Sequence, residues 1–324
     1  MTINIISKLE GGLGNQLFQY AFAKKISCDL NCNLILDIGI TSTQSENRKI
    51  NLFNYMIDCK TISSDPRMSQ YPEIAIKDFD LKNIDIITEN KSLDVLERAL
   101  KISKNTYLIG WWQSYKYIDS IKDILKEEVY PKYKENSSFN KAKIWINSKN
   151  NTVAIHIRRG DFINTNFGIL PKSYYFDALK LLMKKISNPE IIYFSDDPEW
   201  VKLELASVYE GHIISSKWDL REYEELVLMS LCDHHIIANS SFSWWGCWLK
   251  KNEDGISIRP SRWFAKSNDI VNEEDICPKT WLIVPVRDEF ITKPNKWLFI
   301  RNLKDHLFNY FIFFKFKFKK IFKF

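Results

Sequence analysis

Residues 11–23 read "GGLGNQLFQYAFA", three glycines within four positions and then an apolar run, directly after "INIISKLE" at 3–10. The apolar residues before the glycines predict a strand over 3–7, and helical spacing over 16–28 predicts a helix, so the glycines form a strand-to-helix turn. Gly12 and Gly14 supply the first two positions of a dinucleotide cradle. Asp37 ends the next predicted strand, 33–37, about where a ribose-binding acid would stand. The third cradle position breaks the pattern. It is Leu17, where a small residue is needed for close helix packing, and Asn15 and Gln16 add two amide side chains. The stretch therefore predicts a tight loop that presents Asn15 and Gln16 to a polar ligand across a cleft. A nicotinamide-dependent dehydrogenase is the rival reading.

Strands and helices alternate along the rest of the chain. Residues 40–105 carry polar loops and one predicted helix over 92–101, followed by a strand in "TYLIGWWQS" and a helix over 115–128. A shift to Lys, Asn and Ser over 130–151 predicts a domain boundary, dividing the chain into residues 1–150, 151–294 and a tail, 295–324. The second part is regular. "TVAIHI" reads as a buried parallel strand, Ser173 as the cap of a helix reaching 186, and "EIIYFS" as the next strand, with a helix from Asp197-Pro198. "HIIS", a helix over 219–231, "HHIIAN", a helix over 242–250 and "GISIRP" complete a doubly wound α/β pattern, whose ligand belongs beyond the carboxyl ends of its strands.

Three segments of the second part fall at that edge. "AIHIRRGDF" places His156, Arg158, Arg159 and Asp161 at a strand end, and a guanidinium there suits a phosphate because it offers paired, permanently charged hydrogen bonds. In "YFSDDPEW", one of Asp196 and Asp197 caps the following helix while the other remains to accept hydrogen bonds from a base or ribose. In "IIANSSFSWWGCW", Asn239, Ser240 and Ser241 precede a helix whose free N–H groups form an anion site.

Composition narrows the partners. The net charge is +6, but "FIFFKFKFKKIFKF" at 311–324 holds five lysines and no acid, so the body carries about +1 and does not suit nucleic acid. With helical spacing, Phe311, Phe314, Phe318, Ile321 and Phe322 form an apolar stripe beside Lys315, Lys319 and Lys323, which suits an anionic inner-leaflet surface. Read with period two, the same tail alternates as a strand. Neither a signal peptide nor a membrane span is expected. The six cysteines form no CxxC and are expected to be reduced thiols of a cytoplasmic protein. The eleven tryptophans gather in pairs, Trp111-Trp112 and Trp244-Trp245, which suit either a core or a sugar-facing surface. A non-catalytic sugar-binding protein would use such surfaces but would have no need of a phosphate site.

"GGLGNQLFQYAFA", "HIRRGDF" and "NSSFSWWG", in this order and spacing, resemble the signature segments of the α-1,2-fucosyltransferases of glycosyltransferase family 11. The resemblance covers residues 3 to about 290 and excludes the tail. It implies a GT-B architecture, two facing Rossmann-like domains with a central cleft, an acceptor-side N-terminal domain and a C-terminal domain holding the donor. It further implies GDP-L-fucose as donor, the 2-hydroxyl of a β-galactosyl residue as acceptor, inversion at the anomeric carbon, and no cofactor or essential metal. On this resemblance Arg158 binds the β-phosphate, with Arg159 supporting it, and His156 lies near the guanine. One of Asp196 and Asp197 holds the guanine, Ser240 and Ser241 hold the diphosphate, and Gly14, Asn15 and Gln16 face the donor from the opposite domain. Asn239 belongs to the same donor set. Arg158, Asp161 and Asn15 are the expected catalytic residues, with Asp161, Glu10 and Asp37 all open as the general base. The expected setting is synthesis of a bacterial surface polysaccharide of O-antigen type on a lipid carrier, at the inner face of the cell membrane. Against a metal-free reaction stands "DFD" at 78–80, a D-x-D of the kind that binds metal in the other main glycosyltransferase architecture; such a triplet is also expected by chance in a chain of this acidity.

Overall fold

A computed structural model describes residues 3–39, 50–62, 84–90, 94–132, 137–162, 167–265 and 273–291. The D-x-D at 78–80 and the tail lie outside the described residues. The first sheet holds β1 (Asn4–Lys8), β2 (Asn33–Asp37), β3 (Lys60–Ile62), β4 (Asp85–Thr88) and β5 (Thr106–Ile109). All are parallel, in the order β3-β2-β1-β5-β4. The second holds β6 (Thr152–Ile157), β7 (Glu190–Ser195), β8 (His212–Ile213), β9 (His234–Ile236), β10 (Ser257–Pro260) and β11 (Leu282–Val284). These are also parallel, in the order β11-β10-β9-β6-β7-β8. The chain runs outward from β6 to β8 on one side and resumes at β9 on the other. The carboxyl ends of β6 and β9 therefore flank a switch point, where an open α/β sheet leaves room for a ligand. β6 is buried at every position, which is why it reads as an uninterrupted apolar run.

The helices are α1 (Leu13–Leu30), α2 (Asp94–Ala99), α3 (Tyr115–Ile118), α4 (Lys122–Glu128), α5 (Ser138–Asn147) and α6 (Lys172–Met183). They continue with α7 (Pro198–Glu204), α8 (Ile214–Lys217), α9 (Glu222–Ser230), α10 (Ser241–Trp248) and α11 (Glu273–Ile276). Helix α1 is the hinge of the architecture. It packs on its own sheet and also on α10 of the second domain, so Leu17, Phe18, Tyr20, Ala21 and Phe22 are all buried. The ring centroid of Phe18 lies 4.5 Å from that of Trp244 and 5.0 Å from that of Trp245, and Trp245 Nε1 donates to the Gly14 carbonyl at 3.0 Å. One apolar cluster thus runs through both domains and fixes how they face each other. Three of the four paired tryptophans belong to this core: Trp244 and Trp245 are fully buried, and Trp112 stacks on Phe22 at 4.2 Å.

Several elements depart from the sequence expectation. Within the span 130–151, residues 138–147 form α5, with Ser137 Oγ accepting from Asn140 N as its cap and Phe139, Ala142 and Ile146 buried. Ser173 does not cap α6; the helix starts one residue earlier after Pro171, and Ser173 Oγ bonds to Asp288 at 2.5 Å. The helix expected over 115–128 is broken into α3, a 3-10 turn and α4. Only His212 and Ile213 of "HIIS" are strand. Among the described residues no helix is long and apolar enough to cross a membrane.

Candidate active site

The loop between β1 and α1 needs its glycines for backbone reasons. Gly11 has φ +78°, in the left-handed region, and a Cβ on Gly14 would stand 2.5 Å from the backbone of both Ser241 and Phe242. Gly14 is therefore the point at which α1 crosses the amino end of α10. Neighbouring side chains hold the loop in place. Gln16 is buried, donates to the Gly11 carbonyl at 3.0 Å and accepts from Asn51 N at 3.2 Å. Gln16 thus braces the loop from behind and is not among the cavity-lining residues, contrary to the expectation that it faces a ligand. Asn15 does face the cleft: its Oδ1 accepts from Gln113 Nε2 and from Ser241 Oγ, each at 2.8 Å. That side chain joins the two domains directly above α10.

Two adjoining cavities open at this junction. The larger, of about 470 Å³, is lined by His156, Arg158, Ser195, Asp196, Glu225 and Phe242, among others. The smaller, of about 100 Å³, lies at the start of α10 and is lined by Asn15, Gln113, Ser240, Ser241, Phe167 and Trp263, among others. Gly12, Leu13, Arg158, Asp161, Glu222 and Phe242 line both and form the wall between them.

The adjacent arginines take opposite paths. Arg158 reaches the shared wall, where its Nε lies 2.9 Å from Asp161 Oδ1 and 3.4 Å from Asp196 Oδ2. Burial alone would lower its pKa, but Asp196 and Asp161 outweigh burial and raise it, so the group is a fixed cation. Arg159 points into the domain, with no exposure, paired to Asp197 at 3.2 Å and stacked over Trp200 at 4.1 Å. Asp197 also caps α7 by accepting from Trp200 N. Arg159 and Asp197 are thus a buried structural pair that lines neither of the two cavities: Asp197 is the acid that caps its helix, as one of the two was expected to do, and Arg159 supports the strand end from inside instead of meeting a donor. Asp196 lines the larger cavity, its two oxygens accepting from Arg159 N at 3.0 Å and Gly160 N at 2.9 Å. Burial raises its pKa, opposed by Arg158 and those two N–H groups.

His156 is buried and its pKa is lowered to about 3 by desolvation, then by Arg158, so it is a neutral imidazole. Its Nδ1 has no partner among the described residues. Asn239 lines the smaller cavity, but its Nδ2 is engaged with the carbonyls of Phe167, Gly168 and Trp263 at 3.0–3.3 Å. Its Oδ1 is buried and unpartnered among the described residues. At the start of α10, Ser240 makes no side-chain cap, and Ser240 and Ser241 both line the smaller cavity. Of the three base candidates only Asp161 reaches the cavities: Glu10 pairs with Lys8, and Asp37 accepts from Tyr107 and from Gly39 N.

The sequence reading missed Glu222, Glu225 and Asn51. Glu222 Oε2 accepts from Asn51 Nδ2 at 3.1 Å, a further link between the domains. Burial, then Glu222, Asp196 and Glu224, raise Glu225 to about 7. The only signal was their spacing, since Glu222 and Glu225 lie three apart and share a face of α9. Among the described residues no group of three or more His, Cys, Asp or Glu is placed to hold a metal ion.

The profile of glycosyl transferase family 11 matches residues 68–284, more than half of the chain. This protein belongs to glycosyltransferase family 11. Among curated relatives, the family 11 chain is 31% identical to an alpha-1,2-colitosyltransferase of Escherichia coli, over 86% of this chain and 98% of that protein. It is also 31% identical to the O-antigen biosynthesis glycosyltransferase WbnK of Escherichia coli, over 81% and 95% of the two chains. A galactoside 2-alpha-L-fucosyltransferase of Caenorhabditis elegans is 25% identical over 83% and 76%. Among solved structures, the fucosyltransferase NodZ from Bradyrhizobium covers 78% of this chain and 96% of its own, at 13% identity and a TM-score of 0.46. In the family 11 enzyme the two Rossmann-like sheets face each other across the cavities in the GT-B manner.

Proposed function

We propose that this family 11 glycosyltransferase moves L-fucose from GDP-L-fucose to the 2-hydroxyl of a β-galactosyl residue, with inversion, in the assembly of a bacterial surface glycan. The observation that carries the reading is Arg158 on the wall shared by two unequal cavities, beside the uncapped start of α10. A diphosphate on that wall leaves the nucleoside to the larger cavity. There Asp196, Glu222 and Glu225 are acceptors suited to ribose hydroxyls and to the N–H edge of guanine, and His156 is a neutral partner beside Phe242, with ring centroids 5.3 Å apart. In the transfer, the acceptor oxygen attacks the anomeric carbon, and the carbon–oxygen bond to the β-phosphate breaks with its electron pair leaving on GDP. Arg158 and the α10 N–H groups stabilise that departing charge. The hydroxyl proton passes to a carboxylate at the shared wall, where Asp161 and Glu222 stand.

The similarity to a colitosyltransferase favours a second donor, because colitose is L-fucose without its 3-hydroxyl. Supplying GDP-L-fucose and GDP-colitose separately with one β-galactoside tests this: faster transfer of fucose supports the first reading, and use of colitose alone supports the second.

Because Arg158 and α10 supply the positive charge, the reaction is proposed to need no divalent metal. Activity is expected to persist in EDTA; complete loss restored by manganese would refute that. The tail is proposed to hold the enzyme at an anionic membrane, each lysine near the surface contributing about 1 kcal/mol. A chain ending at Asn309 should then leave the membrane fraction, and full retention there would contradict the proposal.

A further inference from the structure

The turn that follows β5 holds a bulky residue in an uncommon backbone conformation. Trp112 has φ +55°, in the left-handed region that a large side chain rarely adopts. Three sets of contacts keep it there. Its ring is fully buried and stacks on Phe22 at 4.2 Å and 12°. The Glu89 carboxylate accepts from Trp111 N at 2.6 Å and from Trp112 N. Ser114 N donates to the Trp112 carbonyl at 2.9 Å, which closes a three-residue turn around Gln113. Strain that the surroundings enforce in this way gathers at functional sites. What the turn sets here is the direction of Gln113, a buried residue that lines the smaller cavity and donates from Nε2 to Asn15 Oδ1 at 2.8 Å.

That bond decides which end of the Asn15 amide meets the cleft. An amide oxygen has two lone pairs, and Asn15 Oδ1 has a donor for each: Gln113 from its own domain, and Ser241 Oγ, also at 2.8 Å, from the facing one. The Nδ2 end donates to none of the described residues. We propose that Gln113 is a positioning residue for the transfer reaction, which by holding Asn15 Oδ1 turns the Asn15 N–H groups toward the departing phosphate. This rests on the transfer reading proposed above. Asn15 and Arg158 line the same smaller cavity, so an amide donor fixed in advance adds to the guanidinium where negative charge develops. Ser241 alone does not set the amide, because a hydroxyl both donates and accepts and so holds either end. Without Gln113 the amide is free to turn and present its oxygen, which repels the phosphate.

The test is steady-state transfer from radiolabelled GDP-L-fucose by the full chain, the label keeping slow variants measurable, with GDP affinity and Tm read alongside to show that each variant is folded. Gln113→Met keeps the length of the side chain and loses the donor; Gln113→Asn keeps the amide and falls short of Asn15. Each should lower kcat by about tenfold, the factor that one neutral hydrogen bond supplies, while KM for the donor and the affinity for GDP stay near those of the parent. In an Asn15→Ala background, Gln113→Met should have little further effect, because it acts through Asn15. Unchanged kcat in both folded variants overturns the proposal, as does a loss that appears in KM and GDP affinity instead of kcat. An equal loss with and without Asn15 also overturns it, since Gln113 would then act on the substrate directly. Absence of transfer by the parent overturns the transfer reading itself, so the two failures are distinct.

Discussion

Arg158→Ala is expected to lower kcat by about 10²–10³, the loss found when one preorganised donor to a developing negative charge is removed. The reasoning is local. Among the described residues Arg158 is the arginine on the wall common to both cavities, whereas its neighbour Arg159 is buried against Asp197 and Trp200. Asp161 and Asp196 both hold the guanidinium at Nε, so its position is set before a substrate binds. Arg158→Lys should recover only part of the loss, because an ammonium keeps the charge but not the planar pair of donors. Steady-state kinetics with GDP-L-fucose reads both variants. A kcat within threefold of the parent for Arg158→Ala would remove this residue from leaving-group stabilisation.

Gly14→Ala should destabilise the protein and lower its activity together. In an isolated helix the exchange would help by about 1 kcal/mol. Here the added methyl meets the backbone of Ser241 and Phe242 at 2.5 Å, and neither can rotate away. Overpacking of this kind costs about 1–3 kcal/mol, which lowers Tm by several degrees in a chain of this size. The damage should reach activity too, because Ser241 and Phe242 line the cavities and Trp245 is tied to the Gly14 carbonyl. Thermal unfolding together with kcat checks this, and an unchanged Tm with full turnover would contradict the close crossing of α1 and α10.

Much of this fold is legible in the sequence where burial is two-sided. β6 and β7 appear as uninterrupted apolar runs because both faces are covered. α5 escapes notice because Lys, Asn and Ser intervene among its apolar residues and one of those, Ile144, faces outward, while Phe139, Ala142 and Ile146 turn inward. The three-residue strands β3 and β11 carry too little pattern to stand out from loops. The candidate site divides in the same way. Arg158 and Asp196 are visible because a strand end in a doubly wound sheet is a ligand edge. Their partners Arg159 and Asp197 carry the same residue types, and only the alternation of the strand direction separates inward from outward. Glu222 and Glu225 read as a solvated helix face; what turns that face to the cavity is the placement of α9 across from Asn51, a contact between residues 171 apart in sequence.

The glycine loop shows how a motif can mislead and inform at once. Gly12 lines both cavities, but Gly14 serves the crossing of two helices, and the amide that reaches the cleft is Asn15. The dehydrogenase reading assigned these glycines to a pyrophosphate and Asp37 to a ribose. Asp37 instead accepts from Tyr107 and Gly39 N and lines neither cavity.

The most direct test of the central claim is incubation of the protein with GDP-L-fucose and a β-galactoside, with the linkage of the product read by NMR. The account predicts release of GDP and an α-linked fucose on the 2-hydroxyl of galactose. Fucose on any other hydroxyl, or no transfer from GDP-L-fucose while GDP-colitose is consumed, would contradict it.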